Sequence, residues 1–342
     1  MTAPQDAGPK SGQAPQSATH WARIEERGMY AGLSIMLATH RLFGRRVFGL
    51  LLYPVIAYFF VAGRSARRAS MAFLTQVHRH TGAGSAGTGI GTPGWRQSFR
   101  HFMAFGDALL DKLEAWSGRI GEENIVYHNP EIFEALRQSG RGGLLIASHL
   151  GNMEVCRALG EKSLGLKLNV LVHTKHAANF NRLLRRVSPD SSVSLIQTTE
   201  VDPGTAIMLQ DRIARGEFVI IVGDRIPVTK SGRTSRVPFL GRVAPFPQGP
   251  YILASLFGCP VQLIFCLKRG GRYHIIFEPF ADAIRIPRRD RNAALADWTG
   301  RYVSRLEHYC TTDPYQWFNF FDFWGQAETM PPTENKNPAP KG

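Results

Sequence analysis

The chain has 342 residues, 44% of them hydrophobic and 20% charged, a globular composition with enough length to bury a substantial core. Lysine and arginine exceed aspartate and glutamate by 41 to 27, a formal net charge of +14, so an anionic partner is expected: phospholipid surface, acidic carrier protein or nucleic acid. The four cysteines, Cys156, Cys259, Cys266 and Cys310, show neither C-x-x-C nor zinc-ligand spacing, so they read as reduced core thiols and no metal site is expected.

Residues 1–19 are rich in Pro, Gly, Ser, Ala and Gln, are expected to be disordered, and lack the apolar h-region of a cleavable signal peptide. The composition changes at Trp21. Between Arg27 and Gly106 there is no Asp or Glu, but there are ten arginines, among them Arg41, Arg45, Arg46, Arg64, Arg67 and Arg68. Inside this basic region lies VFGLLLYPVIAYFFVAG, residues 47–63, an uncharged run of seventeen. A bilayer span takes about twenty apolar residues, so this run with Pro54 inside it fits a short span, a re-entrant helix, an interfacial helix or a buried core helix. The flanking arginines and the aromatics Tyr53, Tyr58, Phe59 and Phe60 favour attachment to an anionic leaflet.

The next stretch, TGAGSAGTGIGTPG at 81–94, contains G-x-G-x-x-G at Gly82, Gly84 and Gly87, but it follows the polar VHRHT instead of a hydrophobic strand. It reads as a flexible loop, not a dinucleotide fingerprint. Trp95, Phe99, Phe102, Leu109, Leu113 and Trp116 then recur at helical spacing, giving an amphipathic helix for the membrane segment or the main sheet. Residues 20–117 thus read as a basic, hydrophobic, helical membrane-associated region, followed by an α/β domain over 118–325.

In that domain, strand-like runs at Leu144–Ala147, Leu168–Val172, Val193–Ile196, Phe218–Val222, Val261–Leu267 and Tyr273–Phe277 alternate with helical stretches. The helical stretches fall near 131–138, 152–163, 176–187, 204–215, 248–257 and 290–310. Repeated β-α-β units predict a largely parallel sheet flanked by helices.

The sequence GGLLIASHLGNMEVCRAL, 142–159, passes from a short apolar strand through a Leu-Gly-Asn turn into a helix, which sets His149 at the carboxyl lip of a strand, where open α/β sheets bind ligands. Glu154 lies five residues on. Five residues of continuous helix would leave the two side chains about 140° apart, so a His149–Glu154 dyad requires His149 in the turn. There the carboxylate could fix the imidazole tautomer and leave the other nitrogen as a general base. Glu154 fits equally well as a surface partner of Arg157, with His149 a helix cap.

The strand Phe218–Val222 ends in Gly223-Asp224-Arg225, again at a carboxyl lip. From Arg225 through Phe277 there is no acidic residue and there are eight basic ones, Arg225, Lys230, Arg233, Arg236, Arg242, Lys268, Arg269 and Arg272. Such a run suits bidentate phosphate contacts or, over Lys230–Arg236, a solvated loop; Asp224 fits equally as the salt-bridge partner of Arg225. The ending DPYQWFNFFDFW, 313–324, concentrates Trp317, Phe318, Phe320, Phe321, Phe323 and Trp324, which suit packing over the core with partial interface contact, and 326–342 reads as a disordered tail.

His149-x-x-x-x-Glu154 after a hydrophobic strand resembles the H-x-x-x-x-D/E box of the glycerolipid (lysophospholipid) acyltransferase superfamily, in the branch of the late lipid A acyltransferases. The order Gly223-Asp224-Arg225, Phe246-Pro247-Gln248-Gly249-Pro250, Leu253-Ala254 and Cys259-Pro260-Val261 is similar to that superfamily's later blocks, and the Pro-x-Gln-Trp ending to the lipid A branch. Two features depart from the pattern: the box acid is Glu where many relatives have Asp, and the phosphate block is reduced to Gly-Asp-Arg. The resemblance covers about 120–325, with a similar membrane-associated start.

It implies transfer of a fatty acyl group from a thioester donor, on acyl carrier protein or coenzyme A, to a hydroxyl or amine of a lipid acceptor, with no cofactor and no metal. It implies His149 as general base oriented by Glu154, an oxyanion site on the backbone amides after His149, and Asp224, Arg225, Arg242 and Gly249 as substrate-binding residues. The implied partners are acyl carrier protein and anionic membrane lipid, at the cytoplasmic face of a bacterial inner membrane. The alternatives are an acyl thioester hydrolase and a non-catalytic peripheral lipid-binding protein. The absence of G-x-S-x-G argues against a serine hydrolase, and the hydrophobic start with an α/β core argues against nucleic-acid binding.

Overall fold

A run of apolar residues with no polar interruption needs cover on both faces, and in the computed structural model Gly143–Ala147 is a strand buried at all five positions. The structure describes residues 44, 47–82, 92–116, 118–164, 166–172, 194–197, 202–226 and 233–325. The expectations for 1–19, the helix 176–187, most of the glycine-rich stretch 81–94, Lys230 and the tail 326–342 lie outside the described residues. The chain divides into two compact units, Met1–Leu52 and Tyr53–Gly342.

Helices α1 (Val47–Ala62), α2 (Arg64–Thr81) and α3 (Trp95–Trp116) come first. Strands and helices then alternate: β1 (Ile125–His128), α4 (Pro130–Gln138), β2 (Gly143–Ala147), α5 (Met153–Leu164), β3 (Leu168–Val172), β4 (Ser194–Gln197), α6 (Pro203–Ala214) and β5 (Phe218–Val222). β6 (Thr234–Phe239), β7 (Arg242–Pro247), α7 (Gly249–Phe257), β8 (Val261–Arg269), β9 (Arg272–Ala281) and α8 (Arg291–Thr312) complete the order.

Among the described residues seven strands form one sheet in the order β1-β9-β8-β2-β5-β3-β4. Every neighbouring pair is parallel except β8 and β9, an antiparallel hairpin. Side-chain alternation along β2 feeds two cores: Leu144 and Ile146 join Phe73, Phe246, Tyr302 and Trp317 on one face, while Leu145 and Ala147 join Phe133, Val155 and Cys156 on the other. All four cysteines are free and buried.

The chain departs from the sequence-based expectation after Arg225. Thr234–Arg236, for which a solvated loop and a phosphate-contacting run both stood open, begins the β6–β7 hairpin, with Ser235, Val237 and Phe239 turned inward and Arg236 and Pro238 outward. Its two-residue turn, Leu240-Gly241, has both φ angles positive, 51° and 78°, the geometry that matches strand twist. Leucine at positive φ is held there because its carbonyl accepts from Gln76 Nε2 at 2.6 Å and its amide donates to Glu307.

Among the described residues no single helix is long and apolar enough to cross a membrane; α1 and α2 reach that length together but bend by 90°. The bend falls at Gly63, and α2 then buries Phe73, Leu74 and Val77 in the core. α3 packs Phe99 and Phe102 edge-on against Phe60 of α1, each at 5.2 Å, and ties its other end to the sheet through Asp111, which accepts from Lys268 Nζ at 2.7 Å.

The turn after β2 is the tightest point. Gly151 has φ +76°, and a Cβ there would stand 1.9 Å from the Cys266 carbonyl oxygen of β8. Its amide donates to the Gln316 carbonyl and the next amide, of Asn152, to that of Cys266, both at 2.8 Å. Gly151→Ala is therefore expected to destabilise the fold by about 3 kcal/mol, read as a lower urea midpoint with an unchanged m-value.

Candidate active site

β2 and β5 are parallel neighbours with Ala147 opposite Val222, so two residues beyond each strand His149 and Asp224 face one another. His149 Nδ1 lies 2.8 Å from Asp224 Oδ1, and the His149 backbone N–H donates to Oδ2 at 2.9 Å. Asp224 is fully buried, while the imidazole is 30% exposed. Two further donors reach Oδ2: the Trp317 indole N–H at 2.9 Å and the Asn319 amide at 3.3 Å. Burial alone would push the Asp224 carboxyl up. Attraction to His149, the hydrogen bonds from that residue and the charge of Arg225 outweigh it and hold the group below the ordinary carboxylate range.

The carboxylate only accepts, so Nδ1 carries a proton, and in the neutral ring the lone pair is on Nε2. Among the described residues Nε2 makes no hydrogen bond. The result is a partly exposed histidine of fixed tautomer at the carboxyl edge of a parallel sheet. Behind it, Gly223 admits no side chain: a Cβ would lie 2.8 Å from the Tyr302 ring and 2.9 Å from Ile146. The Tyr302 hydroxyl donates to the Ala147 carbonyl at 3.0 Å, fixing the end of β2.

This arrangement corrects the role expected for Glu154. Its carboxylate accepts from Arg157 Nε at 3.0 Å and Nη2 at 2.8 Å, on the first turn of α5, and the position on His149 Nδ1 belongs to Asp224. The cause is register: parallel pairing delivers an acid from 75 residues away directly opposite the histidine. The expected oxyanion amides are also occupied, since Leu150 N–H donates to Ser148 Oγ and the next two amides to Gln316 and Cys266.

Arg225 is held by the C-terminal segment: Nε donates to Asn319 Oδ1 at 2.7 Å and Nη2 to the Phe318 carbonyl at 3.0 Å, with the Phe321 ring 5.8 Å from the guanidinium. Desolvation there lowers its pKa against the opposing pull of Asp224. Arg242 sits exposed at the β6–β7 turn, 5.6 Å from the Trp324 ring, and Gly249 opens α7 with nothing within 4 Å of where a Cβ would stand. Neither hydrogen-bonds to the His149–Asp224 cluster among the described residues. No group of three or more His, Cys, Asp or Glu side chains among those residues is placed to hold a metal ion.

No known family model matches the chain, and no curated protein matches it. Its chemistry is read from the cluster itself. Trp317 and Asn319 complete that cluster, and local spacing gave no sign of them, because they enter from the C-terminal segment over the sheet edge. Phe318 N–H donates to the His149 carbonyl at 3.1 Å, and Leu150 bridges Trp317.

Behind Trp317 lies His101 of α3, fully buried, with Nε2 2.9 Å from the Trp317 carbonyl. Burial pulls its pKa from 6.5 down to about 4, against the raising effect of that carbonyl. The unfolded chain therefore takes up a proton between pH 6.5 and about 4 that the folded chain refuses. The stability from neutral His101 is intact above pH 6.5 and falls by about 3 kcal/mol as pH drops toward 4. Urea titrations of wild type and His101→Gln at pH 7 and pH 4.5 should show the smaller acid loss in the variant.

Proposed function

We propose that the chain is an acyltransferase that moves a fatty acyl group from a thioester donor to a hydroxyl or amine of a lipid acceptor. The observation that carries this reading is His149 at the carboxyl edge of a parallel sheet: Nδ1 is pinned to a buried carboxylate, Nε2 makes no hydrogen bond among the described residues, and the side chain is partly exposed. The similarity of the His149 box and the later blocks to glycerolipid acyltransferases, in the lipid A branch, supports the same chemistry. In the reaction Nε2 takes the acceptor proton as its oxygen or nitrogen bonds to the acyl carbon. The C–S bond breaks, and the imidazolium returns the proton to the departing thiolate.

Asp224 stabilises the imidazolium, and Arg225, whose guanidinium keeps N–H groups beyond its two bonds to the C-terminal segment, faces anionic substrate groups. The donor we favour is acyl carrier protein, whose acidity suits a chain of net charge +14; coenzyme A is the other candidate.

The site works beside its lipid. On α1, Tyr53, Val55, Tyr58, Phe59 and Val61 stand about half exposed or more, and Trp95 at the start of α3 is 67% exposed. Sixteen residues of α1 span about 24 Å, short of a hydrocarbon core of about 30 Å, and α2 cannot extend it because its apolar face is in the protein core. α1 therefore seats in the interface of an anionic leaflet, which in the lipid A branch is the cytoplasmic side of the inner membrane.

Two experiments test this. With labelled acyl carrier protein and total lipid extract, His149→Ala should abolish label transfer to lipid, Asp224→Asn should lower the rate about a hundredfold, and Glu154→Gln should stay within about threefold of wild type. Free fatty acid as the sole product would mark a hydrolase, and equal label in wild type and His149→Ala would sink the base. In a separate flotation assay, Tyr58→Ser with Phe59→Ser should release the folded protein from phosphatidylglycerol vesicles, and unchanged flotation would count against the interfacial seat.

A further inference from the structure

The layer above the sheet edge is aromatic: His101 lies 5.8 Å from Phe73, 6.2 Å from Phe318 and 4.6 Å from Phe320. Within it sit three buried polar side chains, Ser70 of α2 and Ser98 and His101 of α3, each at most 1% exposed. Apolar residues would fill such a layer without the cost of burying polar groups, so these three owe their place to the bonds they make. Ser98 Oγ donates to Ser70 Oγ at 3.0 Å, Ser70 Oγ is 3.1 Å from His101 Nδ1, and His101 Nε2 is 2.9 Å from the Trp317 carbonyl.

A carbonyl only accepts, so the proton is on Nε2. Nδ1 is therefore the acceptor for Ser70, and the two serines lock the tautomer. The Trp317 carbonyl takes a second bond, from the Asn319 N–H at 3.0 Å. Both of its lone pairs are engaged, and the two residues it joins are the two that donate to Asp224 from the C-terminal segment.

We propose that His101 is a positioning residue: through the Trp317 carbonyl it sets the indole and the Asn319 amide that hold Asp224 against His149. The Ser98–Ser70–His101 chain thus makes the geometry of the base depend on how α2 and α3 dock. The kinetic part of this inference rests on the acyl-transfer reading; the structural part does not.

Three variants separate the possibilities. His101→Phe keeps an aromatic ring but loses the donor. His101→Gln keeps an amide donor for the carbonyl and an acceptor for Ser70. Ser70→Ala leaves the ring and unlocks its tautomer. With 15N-indole-labelled protein, the Trp317 N–H signal, assigned by its loss in Trp317→Phe, is expected to shift and exchange with solvent about tenfold faster in His101→Phe, and to stay near wild type in His101→Gln. Transfer should follow the same order: kcat about tenfold lower in His101→Phe at unchanged KM for the acyl donor, and within about threefold of wild type in His101→Gln.

An unmoved Trp317 signal in folded His101→Phe, or equal losses in the Phe and Gln variants, overturns the inference. If His101→Phe does not fold, Ser70→Ala decides by the same signal: a shift supports the role and no shift overturns it. A wild type that transfers no acyl group refutes the proposed function, while the indole readout still decides the role of His101.

Discussion

Everything at the sheet edge depends on one buried carboxylate. Asp224 is out of contact with solvent and accepts four N–H groups, from the His149 ring, the His149 backbone, the Trp317 indole and the Asn319 side chain. A charge in that position is tolerable only when its lone pairs are met, and removing one partner of such a set costs several kcal/mol. The constraint joins three parts of the chain: the end of β2, the end of β5 and the segment after α8. Because Asp224 is buried, its attraction for an imidazolium is poorly screened, which is the condition a histidine base needs when it takes a proton.

The C-terminal aromatics follow from that constraint. Trp317, Phe323 and Trp324 are buried and pack with Phe239 and Phe246 of the β6–β7 hairpin, while Phe318 and Phe320 meet His101, Phe102 and Phe105 of α3. The segment is a strap, and the apolar area it buries stabilises the position from which its polar atoms reach Asp224. The glycines at 151 and 223 have the converse role, since each leaves room where backbone or a tyrosine ring already stands.

The positive charge divides into two uses. Lys268 is paired with Asp111, Arg269 with Asp313 and Arg305 with Glu278, so several cations from the acid-free stretch and its surroundings are structural ties. Others are exposed residues whose guanidinium groups lie over aromatic rings, Arg100 at 4.5 Å from that of Tyr315 and Arg242 at 5.6 Å from that of Trp324. An acid-free run in a sequence therefore counts charges without saying which are already spent inside the fold.

Features that depend on neighbours along the chain were legible before folding. Uninterrupted apolar runs marked β2, β3, β5 and β8, helical spacing marked α3, α5 and α8, and the alternation of the two set a largely parallel sheet whose carboxyl edge would carry His149, Asp224 and Arg225. The β6–β7 hairpin was masked by its arginines, because one face of an antiparallel pair can be polar and read as loop. Partnership, in contrast, came from packing. Glu154 was the nearest acid in sequence and turned to Arg157, whereas register brought Asp224 opposite His149, and folding of the last segment over the edge brought Trp317, Asn319 and, behind them, His101. The physical reason is range: a strand or helix is specified by residues a few positions apart, but the shell of a buried charge is filled by whichever donors the packed chain brings within about 3 Å, however distant in sequence.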